Sequence, residues 1–372
     1  MEENRQRTAE EEATESKAYI DDYIRRARDA QAKIEKYSQS QVDRLVMTIA
    51  KTVFDNAEYL AQVAVAETHM GVVEDKAAKN RGKASIIWNS LKGKKSVGII
   101  ERDEERGIVK VAKPMGVVAA ITPMTNPTVT PMSNAMFAVK GRNAIIITPH
   151  HKSIKSSTET INMINSQLTM LGAPENLIQI LDQQSRANTR TLISQADVVI
   201  ATGGAGMVNA AYSSGRPALG VGAGNVQCII DRDANPAEAV PKIIAGRIFD
   251  NGIICSGEQS VIIPQDKYEE ILQVFTQNGA YVVTSREEKE AFRNAIFTDG
   301  AMNRHAIGQS VQVISALAGV QVPENCKVIA IEADGYGKEE LLAKEKMCPV
   351  LAVFRYGDFK EAVEIAKANL EV

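Results

Sequence analysis

Residues 1–17 contain no large apolar side chain after Met1, so this stretch reads as a solvated, disordered tail. The pattern changes at Ala18. Ile20, Tyr23, Ile24, Ala27 and Ile34 recur at helical spacing and predict a helix over 18–36. Val42, Leu45, Val46, Ile49, Val53, Leu60, Val63 and Ala64 predict a second amphipathic helix over 40–69, broken near Asp55-Asn56 and ended by Gly71. Val97 and Ile99 lie on one side of a charged turn, Asp103 to Gly107, and Ile108, Val109 and Val111 on the other. That is a β-hairpin signal over 96–118.

From Gly116 onward, short apolar runs alternate with helical patterns. Strands are expected at 117–122, 144–148, 177–181, 197–202 and 226–230, and helices near 128–140, 153–171, 187–195 and 204–214. Strands buried on both faces and joined by helical crossovers make a parallel, doubly wound α/β sheet. After Asp233 the chain starts again, with helices near 236–249, 266–278, 286–299 and 359–370 and strands at 260–263, 327–331 and 350–356. The expected organisation is therefore a tail (1–17), a first α/β domain (18–234, with a hairpin arm at 96–114) and a second α/β domain (235–372).

Charge refines the tail and removes one class of partner. The 372 residues carry 43 Lys and Arg against 46 Asp and Glu, a net charge of −3. Residues 1–17 hold the whole imbalance, with Glu at 2, 3, 10, 11, 12 and 15 against Arg5, Arg7 and Lys17. The balanced remainder lacks the basic footprint of a nucleic-acid binder. Cysteines stand at 228, 255, 326 and 348, with no paired motif and no Cys/His ligand spacing. Neither a disulfide framework nor a metal site is expected, and the reducing cytoplasm is the expected location. No apolar run reaches the ~18–20 residues of a membrane span, and no signal-peptide core is present.

Four segments carry candidate chemistry. The first is Phe249-Asp-Asn-Gly-Ile-Ile-Cys255-Ser-Gly-Glu-Gln259, a helix-to-strand loop in which Gly252 and Gly257 flank a lone thiol. A thiol so placed can act as a nucleophile once ionised; a packed, inert cysteine fits the same pattern. Cys228, Cys326 and Cys348 read as packing residues. The second is Thr202-Gly203-Gly204-Ala205-Gly206-Met207, at a strand-to-helix turn whose N–H groups can face a pyrophosphate; a simple tight turn explains it equally. The third is Thr148-Pro149-His150-His151-Lys152, beyond another strand's carboxyl end, where ribose or phosphate binds in open α/β sheets and where a solvated basic loop is the alternative. The fourth is Thr122-Pro123-Met124-Thr125-Asn126-Pro127, a rigid polar loop in which Asn126 is either an oxyanion donor or a turn residue.

Taken in chain order, these segments together with Gly220-Val-Gly-Ala-Gly-Asn225 resemble the aldehyde dehydrogenases, and within them the CoA-acylating branch. The likeness runs from about residue 18 to the end and leans, through Thr130-Pro-Met-Ser-Asn134, toward the succinate-semialdehyde type. It implies a first domain that binds NAD or NADP through Thr122, Pro123, Thr125, Thr148, His150, His151, Lys152, Thr202, Gly203, Gly204, Met207 and Gly222. It implies that Cys255 is the nucleophile, that Asn126 and the Cys255 N–H hold the oxyanion, and that Glu345 holds the nicotinamide ribose. Coenzyme A is then the acyl acceptor for a short-chain aldehyde. The position of the glutamate that activates water in hydrolytic relatives is occupied by Gly220, which favours a thiol acceptor over water. His151 and Lys152 leave the choice between NAD and NADP open.

The resemblance also implies a homodimer or higher homo-oligomer built partly on the 96–114 arm. It implies a catalytic domain that continues beyond Val372. Two other readings stand: a non-acylating semialdehyde dehydrogenase of the same fold, and an inactive fragment with a binding or assembly role. Residues 1–17 lack the apolar face of a microcompartment-targeting helix, so encapsulation is not expected.

Overall fold

The computed structural model describes residues 9–370. They form two compact units: residues up to Thr68 with Lys76–Gly222, and His69–Asp75 with the chain from Ala223 onward.

The first unit opens with α1 (Ala9–Ile34), α2 (Gln39–Asp55), α3 (Ala57–Thr68) and α4 (Val73–Leu91), the last beginning in the other unit. A hairpin of β1 (Gly98–Asp103) and β2 (Ile108–Ala112) follows, paired in antiparallel register from Gly98↔Ala112 to Asp103↔Ile108. Then come β3 (Val117–Ile121), α5 (Val129–Lys140), β4 (Ala144–Thr148), α6 (Ile154–Met170), β5 (Ile178–Ile180), α7 (Arg186–Gln195), β6 (Val198–Thr202), α8 (Ala205–Tyr212) and β7 (Ala218–Val221). The five strands β3–β7 are parallel, in the order β5-β4-β3-β6-β7. Every residue of β3 and β4 is buried, because helices cover both faces: α5 and α6 with α2 on one, α1 and α7 on the other.

The second unit contains β8 (Val226–Ile229), α9 (Pro236–Ile248), β9 (Glu258–Pro264), α10 (Tyr268–Gln277), β10 (Ala280–Val283), α11 (Arg286–Ile296), the two-residue strands β11 (Phe297–Thr298) and β12 (Ala301–Met302), α12 (Val311–Ala318), β13 (Val328–Glu332), β14 (Val350–Tyr356) and α13 (Phe359–Leu370). Its main sheet is also parallel, in the order β10-β13-β14-β9-β8. Side chains alternate between two cores as the period of two requires. Val350, Ala352 and Phe354 enter one, and Leu351 and Val353 the other.

Several expectations need correction. The tail expected over 1–17 is helical from Ala9: α1 extends through Glu11, Glu12 and Glu15, good helix formers, the first two of which also complement the positive N-terminal end. Ser16 is buried and its hydroxyl meets Thr191 Oγ1 at 2.9 Å. Residues 1–8 lie outside the described residues. The break at Asp55-Asn56 is present, but the helix after it stops at Thr68, before Gly71. The strand expected at 226–230 belongs to the second sheet, since Cys228 pairs with Val261 of β9. The first unit therefore ends at Gly222 rather than near 234. It is β7 that forms the edge of the first sheet. Helices α4 and α12 and strands β7, β10, β11 and β12 were not expected. Among the described residues no helix is long and apolar enough to cross a membrane, and no group of three His, Cys, Asp or Glu side chains is placed to hold a metal.

Candidate active site

In the first sheet the chain runs outward from β3 through β4 to β5, then returns to the other side of β3 for β6. The carboxyl ends of β3 and β6 thus flank the topological switch point, where open α/β sheets bind ligands. Thr122 follows β3, while Thr148 and Thr202 close β4 and β6. The Thr122 N–H donates to the Thr148 carbonyl at 3.1 Å. The Thr148 hydroxyl is engaged with Gln184 Oε1 at 2.8 Å. The Thr122 hydroxyl is buried with no partner, an orphan donor at the head of the switch point.

Across the switch point, Gly204 begins α8 without any side-chain cap, and nothing lies within 4 Å of where a Cβ on Gly204 or Gly206 would stand. The first N–H groups of α8 are open to an anion. Met207 is half-buried, and Gly222 is exposed with open space around it. His150 and His151 stack with ring centroids 4.2 Å apart. The Lys152 N–H donates to His150 Nδ1 at 3.2 Å. Burial, reinforced by the neighbouring His151 and Lys152 charges, pushes the His150 imidazole down to about 4, so it is neutral at pH 7. The exposed Lys152 leaves a cationic rim beside a neutral ring. An orphan hydroxyl, an uncapped helix start and a cationic rim fit a dinucleotide.

The loop after β3 carries Asn126, and a feature absent from the sequence reading holds it. Helix α4 buries a polar face of Lys76, Lys79 and Asn80. Lys79 Nζ donates to Asn126 Oδ1 at 2.8 Å, and Lys76 Nζ donates to the Thr125 carbonyl at 3.3 Å. Thr128 Oγ1 donates to Asn80 Oδ1 at 2.8 Å, and Asn80 Nδ2 to the Ala57 carbonyl at 3.0 Å. Polar side chains at positions i, i+3 and i+4 form one stripe of a helix, which by pattern alone reads as its solvent face.

In the second unit the thiol of Cys255 is exposed, in the loop between α9 and β9. Three successive residues before it, Asp250, Asn251 and Gly252, have φ of 54°, 50° and 73°. Only glycine takes this region without cost, so tertiary contacts must hold the other two. The Asp250 side chain is fully buried and accepts the Val72 N–H, while its own N–H donates to Asp75 Oδ2 at 2.7 Å. Asn251 Nδ2 donates to the Gly308 carbonyl.

The buried guanidinium of Arg247 ties both sides of the loop, donating to the carbonyls of Gly252, Glu258 and Lys346. Gly224 lies against the nucleophile itself: a Cβ there would stand 2.0 Å from the Cys255 carbonyl oxygen. The Gly224 N–H donates to Glu345 Oε1 at 3.2 Å, which brings Glu345 to the Cys255 side of this unit. Burial raises the Glu345 carboxyl, against the opposing pull of the Gly224 N–H and the Arg247 and Lys346 charges.

The other cysteines differ as expected. Burial pushes the Cys228 and Cys348 thiols up to about 11 and raises Cys326. Asn126 lies in the first unit, and Cys255 with Glu345 in the second.

Known proteins resemble this chain over most of its length. The chain is 55% identical over 350 residues to succinate-semialdehyde dehydrogenase (acetylating) of Clostridium kluyveri, covering 94% of this chain and 77% of that one. An acetylating aldehyde dehydrogenase from Geobacillus thermoglucosidasius superposes with a TM-score of 0.93 at 40% identity, over 97% of this chain and 80% of that one. A Rhodopseudomonas palustris propionaldehyde dehydrogenase, solved with bound CoA and an acylated cysteine, gives 0.82 at 28% identity over 93% and 79%. The aldehyde dehydrogenase family profile matches residues 4–370. On its α/β fold, its motif order and these matches, the chain belongs to the aldehyde dehydrogenase family.

Proposed function

We propose that the protein converts a short-chain aldehyde, CoA and NAD(P)+ to acyl-CoA and NAD(P)H, reversibly, through a thioester on Cys255. The observation that carries this reading is the Cys255 loop. Its thiol is exposed and held on a fixed backbone, whereas burial raises the other three thiols. As a thiolate, Cys255 attacks the aldehyde carbonyl. The oxyanion is held by Asn126 Nδ2 and the Cys255 N–H. NAD(P)+, when bound, supplies the hydride acceptor that turns the adduct into a thioester. Thr122, Pro123, Thr125, Thr148, His150, His151, Lys152, Thr202, Gly203, Gly204, Met207 and Gly222 hold it on the first unit, and Glu345 holds its ribose. The CoA thiol then takes the acyl group and returns the Cys255 thiolate.

Water is the competing acceptor, and the structure favours CoA over it. Gly220 replaces the water-activating glutamate, and a Cβ there would stand 2.6 Å from Val208 Cγ1 and 2.7 Å from Tyr212 Cε2. A longer side chain enters that position only if the Val208 and Tyr212 side chains of α8 move aside. The likeness to the Clostridium kluyveri enzyme favours succinate semialdehyde among the aldehydes. The exposed Ile99, Ile108, Val109 and Val111 of the hairpin support a homodimer or higher homo-oligomer; the proposed location is the cytoplasm.

The test is NAD(P)H formation from acetaldehyde, propionaldehyde and succinate semialdehyde, each with NAD and with NADP, with and without CoA. CoA-dependent turnover is the expected result. CoA-independent turnover would replace this reading with the non-acylating one. Cofactor binding without turnover would indicate an inactive chain.

A further inference from the structure

We propose that Lys79 is a positioning residue that orients and polarises the Asn126 amide for the reaction. The inference rests on the reading of Asn126 as oxyanion donor. Lys79 is 7% exposed and places Nζ 2.8 Å from Asn126 Oδ1. A lysine ammonium has three donors and no acceptor, so the amide atom that faces it has to be the oxygen. That fixes which way the amide points, and its NH2 is turned to the opposite side. Thr125 Oγ1 accepts one of these N–H bonds at a long 3.3 Å, which leaves the other for a substrate oxygen. A cation on the amide oxygen also draws electron density from the nitrogen and strengthens both N–H groups as donors.

The surroundings keep this contact in place. Lys76 holds the carbonyl of the preceding residue, Thr125, and Asn80 holds the Thr128 hydroxyl. The oxyanion loop is therefore fixed on the buried face of α4 at more than one point.

The experiment compares steady-state CoA-dependent oxidation by the full chain carrying Asn126→Ala, Lys79→Met, Lys79→Arg, and Asn126→Ala with Lys79→Met. Asn126→Ala is expected to lower kcat about 100- to 1000-fold, as loss of an oxyanion donor does. Lys79→Met is expected to lower kcat about 10- to 100-fold with aldehyde KM changed less than about threefold, since a misaimed group acts on the chemical step. Lys79→Arg keeps a cationic donor and should recover most of that loss. In the double variant, Lys79→Met should add less than about twofold to the Asn126→Ala loss, because both act through one amide.

A merely structural lysine would lower the melting temperature and give additive losses with no split between kcat and KM. Where Lys79→Met yields no folded protein, Lys79→Gln keeps an uncharged N–H donor and carries the same comparison. A wild-type kcat in the lysine variant beside a crippled Asn126→Ala, or additive losses, would overturn the inference alone. A fully active Asn126→Ala would remove the oxyanion reading and the inference with it.

Discussion

Replacing Gly224 with alanine tests whether the nucleophile's backbone is held where the structure puts it. The added Cβ would stand 2.0 Å from the Cys255 carbonyl oxygen, 3.0 Å from its carbon and 3.3 Å from its Cα. All three atoms are backbone, so no flexible side chain can swing aside. Real Cβ contacts stay at or above 3.0 Å, so the Cys255 peptide or the Gly224 segment has to retreat by about 1 Å or more. A displacement of that size at a reacting group costs on the order of 100-fold in rate, or about 2.7 kcal/mol of barrier. The same overpacking should remove about 1–3 kcal/mol of stability.

The assay is kcat/KM for the CoA-dependent reaction, with urea unfolding to measure stability. Gly335→Ala is the control, because nothing lies within 4 Å of its Cβ position, and it should stay within about 0.5 kcal/mol of wild type. A Gly224→Ala enzyme within about threefold of wild-type kcat/KM would refute the reasoning, since the loop would then have room that the structure denies it.

Arg247→Leu should destabilise the protein by about 3–5 kcal/mol in denaturant titration, because the carbonyls of Gly252, Glu258 and Lys346 lose a buried charged donor together. A change below about 1 kcal/mol would show that water replaces the guanidinium without loss. His150 predicts a pH dependence. Burial pushes its folded imidazole down to about 4 against 6.5 for the free group, so between those values the unfolded chain holds more protons and stability falls as pH falls. His150→Gln should flatten that slope in urea titrations across the same window, and an unchanged slope would contradict the burial argument.

The chemistry-bearing loops were legible because each is punctuated. Gly203-Gly204 at a strand end, Pro123 and Pro127 around Asn126, and the glycines flanking Cys255 all mark places where the backbone must turn tightly. The buried strands were legible for a related reason. Runs such as Ala144–Thr148 are apolar throughout, as sheets covered on both faces require.

What escaped has equally physical causes. Helix α4 was missed because its buried positions include Lys76, Lys79 and Asn80, which hydropathy reads as solvent-facing. The residues that support Asn126 were hidden by the same inversion. The start of α1 was missed because glutamates read as a tail by hydropathy, while by propensity they are helix formers. Strand β8 was placed in the wrong sheet because an apolar run states that it is buried and not which neighbour it pairs with. Arg247 gave no sequence signal, since its three acceptors are backbone carbonyls spread from Gly252 to Lys346.

The central claim is that the acyl group passes through Cys255 on its way to or from CoA. Incubation with succinyl-CoA in the absence of reduced cofactor, followed by intact-mass and peptide mass spectrometry, tests it directly. The account predicts one succinyl group per chain, located on the peptide containing Cys255, released by free CoA and absent from Cys255→Ala. An acyl group on Cys228, Cys326 or Cys348, or one that persists in Cys255→Ala, would contradict it, as would an unacylated protein that still forms NAD(P)H from aldehyde and CoA.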